Sequence, residues 1–190
     1  MQILLIDNYD SFTYMLKDYI EQCEVTCEVI RNDVPDLVEK VSQYDALVLS
    51  PGPKTPNDAG LMNEVIACWH QHKPMLGICL GHQAIGQYFG ANLVQAIAPK
   101  HGKIDTVKHH QHPLFKGIPE GFNVTRYHSL ILNQVKHPLT QIALGSQDEC
   151  MALAHSVLPL FGVQFHPESC LTEHGLNIIK NYIDLVKQPV

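Results

Sequence analysis

Through the first half of the chain, short apolar runs alternate with stretches whose apolar residues recur at helical spacing. Gln2–Ile6 is mostly apolar and reads as a core strand. Phe12, Leu16, Tyr19 and Ile20 then share one side of a helix for which Ser11 is the expected N-cap. Val25–Ile30 is a second strand, Pro35–Val41 a short helix opened by proline, and Asp45–Ser50 a third strand. Gly60–His72 is helical, Pro74–Ile78 is the next strand, and Gly81–Phe89 the helix after it. Alternation at this spacing predicts an α/β fold, a mostly parallel open twisted sheet with helices on both faces. Right-handed crossovers place ligand sites at the carboxyl ends of such strands. Ser50-Pro51-Gly52-Pro53 and Cys79 both fall at those ends.

From Asn92 the pattern becomes richer in strand signals. Lys103–Lys108, Phe122–Tyr127, Gln141–Leu144, Met151–His155 and Leu160–Phe165 are strand candidates separated by His, Pro and Gly. They predict antiparallel additions to the parallel core. Leu176, Ile179, Ile183 and Val186 give the final helix, Glu173–Val186, an apolar face for packing. No repeat, low-complexity tract or linker interrupts the 190 residues, which predicts one domain over 1–190.

Composition narrows the function classes. A net charge of −6 with no Lys/Arg cluster argues against a nucleic-acid partner. No apolar run approaches the roughly 20 residues of a membrane span. The N-terminus reads as a first core strand and not a signal peptide, so cytoplasmic residence is expected. Six cysteines in a chain of this length do not make a disulfide framework. Cys23, Cys27, Cys68, Cys150 and Cys170 read as ordinary thiols. His109-His110-Gln111-His112 has no Cys or carboxylate at ligand spacing, so a solvated loop is favoured over a metal site.

Cys79 stands apart. In Gly77-Ile78-Cys79-Leu80-Gly81 an apolar run ends and turns helical, with glycine two residues to either side of the thiol. This permits a sharp strand-to-helix turn that lifts the sulfur to a helix N-terminus, where free amides and the helix dipole favour a negative charge. It is the cysteine counterpart of the G-x-S-x-G elbow; a plainer reading is a buried Cys in a Gly-flanked strand. A thiol nucleophile needs a base, and the base an orienting acceptor. His166-Pro167-Glu168 follows directly on Leu160–Phe165. Residues i and i+2 of an extended segment point to one side, and Pro167 keeps His166 extended. A Cys79–His166–Glu168 triad is the expectation.

The ordered blocks Leu5–Thr13, Leu49–Pro53, Gly77–Gln83, His101–Lys103, Thr125–Leu130 and Gly162–Ser169 with Leu171–Gly175 resemble the class I (triad) glutamine amidotransferases. More narrowly, the chain is similar to the stand-alone small subunits of anthranilate synthase and aminodeoxychorismate synthase. The resemblance covers nearly the whole chain and implies the flavodoxin-like fold of that family. It also implies that Cys79 attacks the carboxamide of L-glutamine, and that ammonia passes to a chorismate-using synthase large subunit (component I). The Leu80 N–H beside the nucleophile is the natural oxyanion donor, and the family supplies a second from the loop at Gly52. By the same resemblance, Gln83 contacts glutamine, and Ser129 and Leu130 present main-chain groups to its amino-acid end. No metal or cofactor is implied for this small subunit; nor does any G-x-x-x-x-G-K-[ST] encode an ATP-driven step. A cysteine peptidase, a γ-glutamyl hydrolase or a non-catalytic binding module are the rival readings; Gln83 and Tyr127–Leu130 favour free glutamine. The chain departs from the family pattern at Met15, Lys54, Lys100 and Asp105, where Asn, a small residue or Cys, Met, and Ser are usual.

Overall fold

The structure, a computed structural model, describes residues 1–96 and 102–187. The apolar runs of the first half form β1 (Gln2–Asp7), β2 (Thr26–Arg31), β3 (Ala46–Leu49) and β4 (Met75–Ile78). Helices α1 (Thr13–Glu21), α2 (Leu37–Lys40) and α3 (Met62–Trp69) connect them, and α4 (Leu80–Tyr88) follows β4. β1 lies parallel between β2 and β3, and β3 runs parallel to β4. Successive strand side chains point to opposite faces, so a strand covered on both must be apolar throughout. Ile3, Leu5, Ala46, Val48, Leu76 and Ile78 accordingly enter one core with Leu16 and Ile20 of α1. Leu4, Ile6, Leu47, Leu49 and Met75 enter a second core with Val65 and Ile66 of α3 and Ile85 of α4.

The later chain adds β5 (Asn92–Gln95), β6 (Lys103–His109), β7 (Gly121–Arg126), β8 (Leu130–Asn133), β9 (Leu139–Leu144), β10 (Cys150–His155), β11 (Leu160–Val163) and α5 (Gly175–Lys187). Among the described residues the main sheet has nine strands, in the order β2-β1-β3-β4-β11-β10-β9-β6-β7. It is parallel from β2 through β11 and antiparallel beyond. The mostly parallel sheet with antiparallel additions is therefore present. The pairing that matters for function is β4 with β11, where Ile78 stands opposite Val163. Ile178, Ile179, Tyr182 and Ile183 of α5 close the core on the α1 side, so that helix packs as its spacing requires.

Several local expectations are corrected. Ser11 does not cap α1: Phe12 holds the N-cap position and makes no side-chain cap bond. The work passes to carboxylates, because a charged acceptor at a helix N-terminus outcompetes a hydroxyl. Asp10 Oδ1 accepts from the Phe12 N–H at 2.8 Å, and Asp7 Oδ1 from the Thr13 hydroxyl at 2.8 Å. The helix expected from Gly60 starts at Met62, because Gly60 has a left-handed φ of 52° that no α-helix contains. Of Pro35–Val41 only Leu37–Lys40 is α-helical; Val41–Gln43 tightens into a 3₁₀ turn. The ladder of β11 ends at Val163, two residues before the expected limit. β5 and β8 carry no alternation to read, since each is four residues long and half-buried, and they pair only with each other. Lys100 and His101 lie outside the described residues.

Candidate active site

The turn after β4 has the form the glycines suggest. Cys79 is held at φ 51° and ψ −98°; its N–H donates to the Val163 carbonyl at 2.8 Å. Its carbonyl accepts the first bond of α4, from the Gln83 N–H at 3.0 Å. A Cβ on Gly77 would stand 2.4 Å from the Gly81 carbonyl, and one on Gly81 2.5 Å from the Leu49 carbonyl. Close backbone approach, not loop flexibility, is what requires glycine there. A non-glycine residue in this conformation costs on the order of 1–3 kcal/mol, so the packing around it over-determines the turn. Leu80, the first residue of α4, has an N–H with no partner within the helix.

β11 delivers the second half of the site to the same edge. Gln164 Nε2 lies 3.6 Å from Cys79 Sγ, and two residues on, His166 Nδ1 meets Glu168 Oε1 at 2.6 Å. His166 and Glu168 are buried. The turn that carries them is fastened to β7. Thr172 Oγ1 donates to the His166 carbonyl at 2.7 Å and accepts from the Thr125 N–H at 3.0 Å. Tyr127 packs edge-on against the imidazole at 5.0 Å and Phe12 at 6.1 Å, which covers the ring with apolar surface. His166 Nε2 has no strictly aligned hydrogen bond but interacts with the Cys79 sulfur. Loose geometry of this kind tightens when a substrate arrives.

Burial alone would push the His166 imidazole down. Its hydrogen bonds and charge interactions with Cys79 and Glu168 outweigh burial and raise it from the ordinary 6.5 to about 10. The folded chain thus holds this proton more tightly than the unfolded one. The resulting stabilisation is complete below about pH 6.5 and is lost as pH rises toward 10. Glu168→Gln is expected to lower the His166 midpoint by about one pH unit or more, and to cost more stability at neutral pH than at high pH. Titration of the His166 ring resonances by NMR measures this, and an unchanged midpoint would exclude Glu168 as the group that holds the proton.

A pocket of about 170 Å³ opens beside Cys79. It has room for one small molecule or one side chain. Gly52, Pro53 and Lys54 form one wall, and Gln83, Ser129 and Leu130 another. A Cβ on Gly52 would come within 2.6 Å of Asn8 Cβ and 2.8 Å of Leu80 Cδ2, so only glycine lets this loop reach the elbow. Asn8 fastens the loop, donating from Nδ2 to the Ser50 carbonyl and from its N–H to Ser50 Oγ, both at 2.9 Å. Gln83 Nε2 donates to the Leu130 carbonyl at 3.0 Å and to Gln164 Oε1 at 3.1 Å. The fold therefore gathers Gly52, Leu80, Gln83, Ser129 and Leu130 around the thiol.

His128 is a structural group. Its Nε2 accepts from Arg126 Nε at 3.0 Å and its Nδ1 donates to the Leu130 carbonyl at 2.9 Å. Burial, helped by the Arg126 charge, pushes its pKa down to about 3 and keeps it neutral. Two groups escaped sequence reasoning. Gln164 lies in the bend between the end of β11 and His166, where no strand period marks it. Arg126, buried between Asp105 and Glu149, carried no local signal. Of the other thiols, burial pushes Cys27 and Cys150 up to about 12, while Cys68 and Cys170 are exposed. Among the described residues no three His, Cys, Asp or Glu side chains are grouped to hold a metal ion, and no helix is long and apolar enough to cross a membrane.

A strained cysteine elbow at the carboxyl edge of an α/β sheet, facing a carboxylate-bound histidine, defines the class as nucleophile-elbow enzymes that act on acyl groups. Comparison with known proteins then narrows it: the sequence model of the class I glutamine amidotransferases matches residues 4–185, and the chain belongs to this family. It is 43% identical over 190 residues to anthranilate synthase component 2 of Azospirillum brasilense, covering 98% of this chain and 97% of that one. It is 44% identical to aminodeoxychorismate synthase component 2 of Serratia marcescens, covering 96% and 99%. The aminodeoxychorismate/anthranilate synthase component 2 of Bacillus subtilis is 41% identical, with 99% and 98% covered. Among solved structures, a protein described as a GMP synthase subunit from Thermoplasma acidophilum superposes with a TM-score of 0.89 at 27% identity, covering 98% and 94%.

Proposed function

We propose that this chain is the glutaminase subunit of a chorismate-using synthase. Cys79 Sγ attacks the side-chain carbonyl carbon of L-glutamine while His166 manages the proton. The C–N bond breaks, ammonia leaves with a proton from His166, and a thioester remains. The Leu80 and Gly52 amides face the developing oxyanion. Water activated by His166 then releases glutamate and restores the cysteine, while Glu168 holds the Nδ1 proton and orients the ring. This step needs only the chain's own residues, so no cofactor enters it. The observation that carries the reading is the elbow at Cys79 with the 2.6 Å His166–Glu168 bond beside a pocket the size of one small molecule.

Ammonia released to water protonates and is lost as a nucleophile, so it must pass directly to a second polypeptide. The relatives' names favour anthranilate synthase as that partner. Aminodeoxychorismate synthase stands close behind, because the Serratia and Bacillus relatives carry its name at comparable identity. The isolated chain is expected to be a poor glutaminase that its partner activates by completing the geometry around Cys79. Glutamine-dependent product, followed after pairing with each large subunit, tests both claims. Deletion of the gene separates the assignments: a tryptophan requirement supports anthranilate, a p-aminobenzoate requirement supports aminodeoxychorismate, and both together mean a shared subunit. Full turnover by the chain alone, unchanged by either partner, would refute the activation.

A further inference from the structure

The triad leaves one neighbour of the Cys79 sulfur without a role. Gln164 is fully buried, and its Nε2 lies 3.6 Å from Cys79 Sγ, within hydrogen-bond reach of an acceptor as large as sulfur. Its backbone is tied down. The Gln164 N–H donates to the Met151 carbonyl of β10 at 2.9 Å, and the preceding carbonyl, of Val163, accepts the Cys79 N–H at 2.8 Å. The side chain therefore reaches the sulfur from a fixed anchor.

A glutamine side chain can turn either its oxygen or its nitrogen toward a neighbour, so its other partners decide which end meets the sulfur. Arg126 can only donate, so His128 Nε2 accepts from Arg126 Nε at 3.0 Å and Nδ1 carries the ring proton. That Nδ1–H donates to the Leu130 carbonyl at 2.9 Å. The same carbonyl, which can only accept, takes a second bond from Gln83 Nε2 at 3.0 Å. Gln83 Nε2 gives its other hydrogen to Gln164 Oε1 at 3.1 Å. With its oxygen committed to Gln83, Gln164 presents its nitrogen to Cys79. Reversing the amide would set two N–H groups against each other and an oxygen against the sulfur. A donor thus faces Sγ, and a donor binds a thiolate better than a thiol.

We propose that Gln164 is a catalytic residue whose side-chain N–H donates to Cys79 Sγ and stabilises the negative charge on sulfur, before attack and again when sulfur is the leaving group. This rests on the glutaminase reading. When the thiol proton passes to His166, the electron pair left on sulfur is shared with the Gln164 N–H. That pair then forms the C–S bond, the charge moves to the carbonyl oxygen, and ammonia leaves with the proton from His166. When water attacks the thioester and the C–S bond breaks, the pair returns to sulfur and the same N–H receives it. Gln83 is the positioning residue that keeps the Gln164 amide turned this way.

The test is the pH dependence of alkylation by iodoacetamide, which reacts with the thiolate, read by peptide mapping at Cys79 with the exposed Cys68 as an internal reference. Gln164→Met keeps the length of the side chain and removes the donor. Gln164→Asn keeps an amide and withdraws it from the sulfur. Each is expected to raise the Cys79 midpoint by about one pH unit, a tenfold loss of thiolate below it, and to leave the Cys68 midpoint in place. A merely structural role would lower the melting temperature without moving the Cys79 midpoint. If the midpoint is unmoved in either folded variant, or if Cys68 moves with it, the Gln164 assignment is overturned and the glutaminase reading stands. If L-glutamine does not protect the wild-type thiol and a glutamine-analogue electrophile does not label it, both are overturned.

Discussion

Cys79→Ala should reduce glutamine-dependent product formation by the complex roughly 10⁴-fold or more, while synthesis from added ammonium salts is spared. The split follows from where the chemistry resides. On the proposed mechanism the thiol supplies the route from amide to thioester, whereas the acceptor ring would be held by the other polypeptide. His166→Ala should be similarly severe, because the leaving amine then has no proton donor. Glu168→Gln should be milder, since a group that orients the base matters less than the base. A glutamine-analogue electrophile should label Cys79 and spare Cys27 and Cys150, whose thiols burial holds up near 12. Assaying wild type and variants with glutamine and with ammonium in parallel separates a lost nucleophile from a lost complex. A Cys79→Ala complex that keeps most of its glutamine-dependent rate would end the thioester mechanism.

Arg126→Met should lower the melting temperature by about 10 °C or more. The guanidinium is fully buried, with Nη1 on Asp105, Nη2 on Glu149 and Nε on His128. Removing it takes a shared cation away from the two buried carboxylates, and breaking a buried pair in this way costs about 3–5 kcal/mol. For a chain of this length each kcal/mol moves the midpoint by roughly 2–4 °C. Asp105→Ser, which restores the residue usual in the family, should cost much less, because the Arg126–Glu149 pair survives it. Arg126→Lys should fall between, since one ammonium cannot replace a planar fork that reaches three partners. Thermal melts of the three variants rank these costs. Equal losses for Arg126→Met and Asp105→Ser would mean that the uncompensated charge is not what destabilises.

The elbow was legible because its requirements are local. A strand that must turn into a helix within two residues needs glycine where backbones approach closely, and a Cβ on Gly77 or Gly81 would stand 2.4 or 2.5 Å from backbone. The His166–Glu168 pairing was legible from its residue types, but the extended segment expected there is a turn, closed by the Ser169 N–H on the His166 carbonyl at 3.2 Å. The interiors of β1, β3 and β4 read correctly as parallel strands because burial on both faces leaves no polar position, whereas β2, at the sheet edge, keeps Thr26, Glu28 and Arg31 exposed. Ser11 was misread as a cap because Asp7 and Asp10, a few residues upstream, offer stronger acceptors once the chain bends back. β5 and β8 were missed because each finds its partner across dozens of residues, and neither carries a period of its own.

By itself, then, the sequence determined the element types, the alternating core, the strained turn at Cys79 and the histidine–carboxylate pair. Each is written in residues that are neighbours along the chain. The tertiary structure alone decided that β11 lies beside β4, which sets Val163 against Ile78 and so brings His166 to Cys79 across 87 positions of sequence. It alone placed Gln164 against the sulfur and buried Arg126 between two acids. The physical reason is common to all of these. Pairing of remote strands and compensation of buried charge are set by free energies that exist only when distant segments meet, and no local pattern records them.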